Sequence, residues 1–268
     1  MKLKKLLENI FTEEELKIAP SSFDVIGDIA IIKIPDELKK KEKEIGKQLL
    51  KFKNIKTVLK KEGKVEDKFR IRKYKFLAGE DKRETLHKEY GCKYKLNVET
   101  VYFSPRLGRE RERIAKEVKE GEKILVMFAG IGPYAIQIAK NRNAEIFAVE
   151  INPKAIEYFK ENVKLNKVEN KIKIFEGDVR EVVPKLKEKF DRIIMPLPKD
   201  AETFLDLAKL VAKKNAIVHL YVFAGSKEEA IKKIDEKVKV LNCVECGTYS
   251  KEISRYCIDF RFIRKRIS

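Results

Sequence analysis

Three short stretches carry residue types that suit a bound nucleoside. In Val126-Met127-Phe128-Ala129-Gly130-Ile131-Gly132-Pro133, an apolar run gives way to a helical pattern through two glycines. Gly130 and Gly132 let the backbone turn tightly and come close to a ligand. The next apolar run ends in Glu150, placed to accept hydrogen bonds from ribose hydroxyls, with Ile151 after it. A third run is followed by Gly177-Asp178-Val179-Arg180, where Asp178 is placed to receive an adenine amino group. A dinucleotide site needs G-x-G-x-x-G with pyrophosphate on the helix N-terminus. Here Pro133 and Tyr134 follow Gly132, and position 135 is Ala. That is a poor pyrophosphate cradle, and it suits a phosphate-free cofactor such as S-adenosylmethionine. Phe128, Gly130, Gly132, Glu150, Ile151, Asp178 and Val179, with Arg109, form the candidate cofactor-binding set.

These stretches fall at the carboxyl ends of expected strands, where open α/β sheets bind ligands. Apolar runs at 123–128, 145–150, 171–176, 190–195 and 216–223 alternate with helical patterns at 133–141, 153–166, 180–189, 201–211 and 227–236. Asn152 and Pro153 give one of those helices an N-cap and a first-turn proline. Such alternation predicts a parallel sheet covered on both faces. Two further strands, 238–243 and 256–262, are joined by a shorter, non-helical connection, which predicts an antiparallel strand at the end of the sheet.

Residues 1–100 read differently, as a smaller α+β domain. A short helix ends near Asn9. Another spans 12–17, with Thr12 and Glu15 spaced as a capping box. A strand at 29–34, a Lys- and Glu-rich helix at 35–50, strands at 57–59 and 69–78, and a strand-like stretch at 90–103 complete it. The strand at 69–78 alternates apolar Phe69 and Ile71 with basic Arg70 and Arg72.

Of 268 residues, 39% are charged, against about 25% in an average globular protein. The excess is mostly Lys and Glu, the bias of hyperthermophile proteins. A net charge of +18 points to a polyanionic partner, nucleic acid before a membrane surface, since no basic amphipathic helix stands out. No run approaches the ~20 apolar residues of a membrane span, and the N-terminal segment is too charged for a signal peptide, so a cytoplasmic location is expected. Cys243 and Cys246 form a lone C-x-x-C, and His87 and His219 lie far from it in sequence. Buried structural thiols and no metal are expected.

The run Phe103-Ser104-Pro105-Arg106-Leu107-Gly108-Arg109-Glu110-Arg111, with MFAGIGPY at 127–134, EINP at 150–153 and GDVRE at 177–181, resembles the archaeal and eukaryotic tRNA (guanine-37-N1)-methyltransferases and the related wybutosine-synthesis enzymes. The resemblance implies a Rossmann-like class I methyltransferase domain at 101–268, with a seven-stranded, mostly parallel sheet. It implies that 1–100 binds RNA and contributes to the active site, and that the domain contacting the tRNA elbow in longer members is missing. S-adenosyl-L-methionine is the implied cofactor. The implied partner is tRNA, through its anticodon stem-loop and tRNA-Phe in particular, met by a monomer. Glu110 matches the family's general base. Arg70 and Arg72 both fit the arginine that stabilises developing charge, and Tyr102 matches an aromatic position near the target base. The chemistry needs these types: guanine N1 becomes a good nucleophile on losing its proton, which moves negative charge to O6.

One position departs from the pattern. After the fourth strand the family has Asn-Leu-Pro or Asn-Pro-Pro; this chain has Met195-Pro196-Leu197-Pro198. Pro196 removes a donor and an acceptor from the pocket. It resembles a bifunctional archaeal branch that methylates guanine N1 and also C7 of 4-demethylwyosine. Two other readings stand beside this one: aminocarboxypropyl transfer to 4-demethylwyosine, and an RNA-binding module without catalysis.

Overall fold

The computed structural model describes residues 3–8, 10–63, 71–197, 199–235, 237–250 and 252–263. The chain divides into two compact units, Met1–Pro105 and Arg106–Ser268.

The smaller unit carries α1 (Leu3–Leu7), α2 (Glu13–Ile18), β1 (Asp24–Ile26), β2 (Ile29–Ile32), α3 (Glu42–Leu49), β3 (Thr57–Lys61), β4 (Tyr74–Gly79), β5 (Glu84–Glu89) and β6 (Cys92–Asn97). Thr12 and Glu15 close the expected capping box at the start of α2. Strands β1 to β4 form one sheet in that order, with β2 and β3 parallel. Ala30, Ile32, Leu38, Ile45, Leu49 and Val58 fill its core. The expected helix at 35–50 is a 3₁₀ turn over Asp36–Lys41 followed by α3. The expected strand at 69–78 is β4, starting at Tyr74; Arg70 lies outside the described residues. The stretch at 90–103 is no single strand. Tyr90 and Gly91, at φ +44° and +75°, turn the chain between β5 and β6, which form a two-stranded hairpin.

The larger unit holds α4 (Gly108–Glu117), β7 (Lys123–Met127), α5 (Pro133–Asn141), β8 (Glu145–Glu150), α6 (Pro153–Asn166), β9 (Ile172–Glu176), α7 (Val179–Val182), β10 (Phe190–Met195), α8 (Leu205–Val211), β11 (Ala212–Ala224), α9 (Lys227–Lys232), β12 (Val238–Thr248) and β13 (Ser254–Phe262). Its seven-stranded sheet has the order β12-β13-β11-β10-β7-β8-β9. From β11 to β9 all neighbours are parallel. β7, β8 and β10 are buried almost throughout, as strands covered on both faces must be. Leu125, Phe147, Val149, Ile193, Val218 and Ile258 sit in the core. The antiparallel strand is not at the sheet's end: β13 is slotted between β11 and β12, antiparallel to both, and β12 takes the edge. Asn152 caps α6 by accepting from Lys154 N at 3.0 Å, with Pro153 in the first turn. No helix among the described residues is long and apolar enough to cross a membrane.

Candidate cofactor and catalytic site

The parallel registers bring the carboxyl ends of β7, β8, β9 and β10 to one edge, with Val126 beside Ile194, Met127 beside Val149, and Glu150 beside Glu176. The loops there are tied together: Ala129 N donates to Val149 O and Gly177 N to Glu150 O, both at 2.9 Å. Glu150 clasps the glycine turn. Its Oε2 accepts from Gly130 N at 2.7 Å, and its Oε1 from Ile151 N at 2.9 Å and Asn152 N at 2.8 Å. A carboxylate offers about four acceptor positions, so one remains on Oε2. That open acceptor position suits a ribose hydroxyl, which would donate to it. Burial pushes the Glu150 carboxyl above its ordinary pKa, and the three N–H bonds pull against it.

The turn itself is built from backbone that side chains tolerate poorly. Gly130 and Gly132 have φ +58° and +86°. Phe128 sits at φ +57° without being glycine, and its ring meets Phe204 edge-on at 5.0 Å. A Cβ on Gly132 would lie 2.0 Å from the Phe159 ring. Glycine is therefore demanded there by packing as well as by any ligand. Asp178 caps α7 by accepting from Arg180 N at 2.9 Å, and its carboxylate also pairs with the Arg180 guanidinium. An adenine amino group has to share that carboxylate with Arg180, whose side chain is 70% exposed. Val179 is buried and Ile151 half-buried beside their acids. Pro196 is half-buried directly after Met195, on the same edge.

Glu110 lies in the first turn of α4, 5% exposed. Its Oε1 accepts from Arg113 Nη2 and the Tyr221 hydroxyl, each at 2.7 Å, and its Oε2 from Arg113 Nε at 2.8 Å. Burial pushes the Tyr221 hydroxyl well above its ordinary pKa, so it remains a donor. Burial also opposes the charge of Arg113, but bonds to Glu110 and Asp259 outweigh it and raise that guanidinium's pKa. Arg109 is exposed on the same helix. In the smaller unit, Arg72 Nη1 donates to Gly63 O at 3.1 Å. Arg72 lines a recess with Glu62, Ile71, Lys73, Tyr74 and Glu99. Burial pushes the Tyr74 hydroxyl up to about 12, with Arg72 working against it and the carboxylates of Asp24 and Glu99 adding to it. Tyr102 is 37% exposed.

Sequence reasoning missed the charged side chains behind Glu110: Arg113, Arg192, His219 and Asp259. Arg113 was findable, since residues three apart share a helix face. The others break otherwise apolar strands, which is itself a signal. His219, Cys257 and Asp259 bring three potential metal ligands within 4.8 Å of one another. Arg113 and Arg192 already supply the positive charge there, through Asp259 at 2.7 Å and His219 at 2.6 Å. The four cysteines are unbridged. Burial pushes Cys246 up to about 12 and raises Cys257 as well, as for unreactive thiols.

The strand order, with its one reversed strand second from the edge, and the acid-clasped glycine turn define a Rossmann-like class I methyltransferase. Residues 85–246 match the TRM5/TYW2 methyltransferase domain, and residues 3–82 match the TYW2 N-terminal domain. The tRNA (guanine(37)-N(1))-methyltransferase Trm5b of Pyrococcus abyssi is 43% identical over 260 residues, covering 93% of this chain and 77% of that protein. The tRNA (guanine(37)-N(1))/4-demethylwyosine(37)-methyltransferase Taw22 of Nanoarchaeum equitans is 37% identical, covering 90% of this chain and 94% of that one. Among solved structures, aTrm5 in complex with tRNALeu superposes with a TM-score of 0.88 at 37% identity, over 98% of this chain and 78% of that chain. The chain belongs to the TRM5/TYW2 methyltransferase family.

Proposed function

We propose that this protein methylates the purine at position 37 of tRNA, at N1 of guanine and also at C7 of 4-demethylwyosine. It is an S-adenosyl-L-methionine-dependent tRNA methyltransferase of the wyosine pathway. The observation that carries the reading is the Glu150 clasp: a carboxylate that holds the glycine turn through Gly130 and keeps one acceptor position for a ribose hydroxyl. The glycine turn, Glu150 and the Asp178 loop would hold the cofactor, which would supply an activated methyl group.

The remaining work falls to side chains of the chain. Glu110 accepts the N1 proton, and the electron pair left on N1 would take the methyl group as its bond to the sulfonium sulfur breaks, the bonding pair staying on sulfur to leave a neutral thioether. Charge that moves to O6 calls for a guanidinium, a role for which the family resemblance offers Arg70 or Arg72. Tyr102 offers a partly exposed ring against the target base. Pro196 leaves the pocket without the side-chain amide that would select guanine, which favours admission of the tricyclic base. Carbon alkylation at C7 needs no amide to hold an amine. The anticodon stem-loop, with tRNA-Phe foremost, is the expected recognition element, engaged by a monomer of this chain.

The test is nucleoside mass spectrometry after incubation with cofactor and two tRNAs, one carrying guanine and one carrying 4-demethylwyosine at position 37. One added methyl on each supports the reading. An aminocarboxypropyl group on the tricyclic base replaces it with the transferase reading, and no product on either leaves only RNA binding.

A further inference from the structure

A chain of ionic and hydrogen-bonded side chains runs through the interior of the larger unit to Glu110. Arg113, three residues along α4, grips both carboxylate oxygens of Glu110, and its Nη1 also reaches Glu117 Oε1 and Asp259 Oδ2, each at 2.7 Å. Asp259 Oδ1 lies 2.6 Å from His219 Nδ1. His219 Nε2 lies 2.6 Å from Arg192 Nη1. A guanidinium can only donate, so Nε2 is the acceptor and Nδ1 carries the hydrogen that Asp259 receives. Arg192 in turn is forked onto Glu122, at 2.7 and 3.1 Å, and donates to Glu117 O at 2.9 Å.

The arrangement is asymmetric at its reacting end. Oε1 of Glu110 accepts two hydrogen bonds, from Tyr221 and Arg113, and Oε2 accepts one. We propose that Tyr221 and Arg113, the latter held by Asp259, are positioning residues that saturate Oε1 and leave the single open acceptor position on Oε2 to take the substrate proton. This rests on the reading of Glu110 as the base. The proton leaves guanine N1 for Oε2, the N1 electron pair would take the methyl group as the methyl–sulfur bond breaks and its pair stays on sulfur, and the neutral carboxyl later returns its proton to water. While Glu110 is neutral, Arg113 keeps Asp259 and Glu117 as counter-charges, so proton uptake strands no buried cation.

The test compares Tyr221→Phe, Arg113→Lys and Glu110→Gln, and the double variant Tyr221→Phe/Glu110→Gln, by single-turnover kinetics on guanine-37 tRNA, with thermal unfolding and cofactor affinity measured alongside. Tyr221→Phe removes one hydroxyl and keeps the ring; its single-turnover rate is expected to fall about tenfold, the worth of one hydrogen bond to a charged group, with KM for tRNA changed less than about twofold. Arg113→Lys keeps the charge and loses the fork, and falls further. In the Glu110→Gln background, Tyr221→Phe is expected to cost nothing more, because it acts through that carboxylate. Folded Tyr221→Phe at the wild-type rate, or a full additional loss in the double variant, overturns the positioning role. Should Arg113→Lys fail to fold, Tyr221→Phe still decides. Wild-type turnover by Glu110→Gln instead overturns the base assignment itself, a separate outcome from silent positioning variants beside an inactive Glu110→Gln.

Discussion

His219 and Asp259 are direct cross-strand partners on β11 and β13, and Nδ1 of the first lies 2.6 Å from Oδ1 of the second. Both are buried in the sheet, with the guanidinium of Arg192 on β10 beside the histidine. Their pairing joins the two antiparallel strands by a polar contact and brings a carboxylate to Arg113. Burial acts to raise the Asp259 carboxyl, but the bonds from His219 and Arg113 outweigh it and hold it well below the usual carboxylate range.

Asp259→Asn is expected to destabilise the protein by about 3 kcal/mol at neutral pH, since removing one partner leaves buried Arg113 short of counter-charge. The sign of the pH dependence follows from the lowered pKa. The contribution of Asp259 is complete above the unfolded value of about 4 and is lost as pH falls from there toward the folded value. Urea unfolding of wild type and variant at pH 7 and pH 3 measures it: the gap narrows at pH 3. A gap that stays constant or widens would remove the charged pair as its cause.

Glu110→Gln is expected to slow N1 methylation by about a hundredfold or more, the range of a positioned general base, while S-adenosylmethionine affinity stays within about twofold. Isothermal titration and single-turnover assays on one preparation separate the two quantities.

Gly132→Ala should destabilise the larger unit by about 3 kcal/mol, because the added methyl meets the Phe159 ring and the backbone stays at positive φ. Thermal unfolding without cofactor reads this directly. An effect seen only with cofactor present would mean the residue serves the ligand alone.

Pro196→Asn is expected to shift activity toward guanine and away from 4-demethylwyosine by restoring a side-chain amide at the end of β10. Competition between the two tRNAs in one reaction gives the ratio. Equal loss on both substrates would show that Pro196 only shapes the turn.

Binding of tRNA should weaken steeply with salt, since a chain of net charge +18 displaces condensed counterions. Fluorescence titration from about 50 to 200 mM salt is expected to lower affinity by about a hundredfold or more. A flat response would point to base stacking and shape in place of phosphate contacts.

The sheet was legible because its strands are short, apolar and regularly spaced, and because Gly130, Gly132, Asn152 and Pro153 punctuate them with residues of narrow conformational use. The Thr12–Glu15 box was legible for the same reason. What escaped was set by pairing across long separations. The slot between β11 and β12 that receives β13 has no local signature. The turn at Tyr90-Gly91 was hidden by a tyrosine at positive φ. His219 read as an isolated histidine because its partner Asp259 is forty residues away in the chain. Glu110 was singled out by its motif, but its hydrogen-bond partner Tyr221, 111 positions further on, was not.

The slotted position of β13 sets an order of assembly during synthesis. Every other described strand of the sheet precedes it in the chain, and β12 pairs with β13 alone, so β12 can join the sheet only when residues 254–262 are in place. Until that insertion His219 lacks its acceptor and Arg113 one of its three carboxylates. The polar network around Glu110 is thus complete only once β13, the last of these strands in the chain, has taken its place.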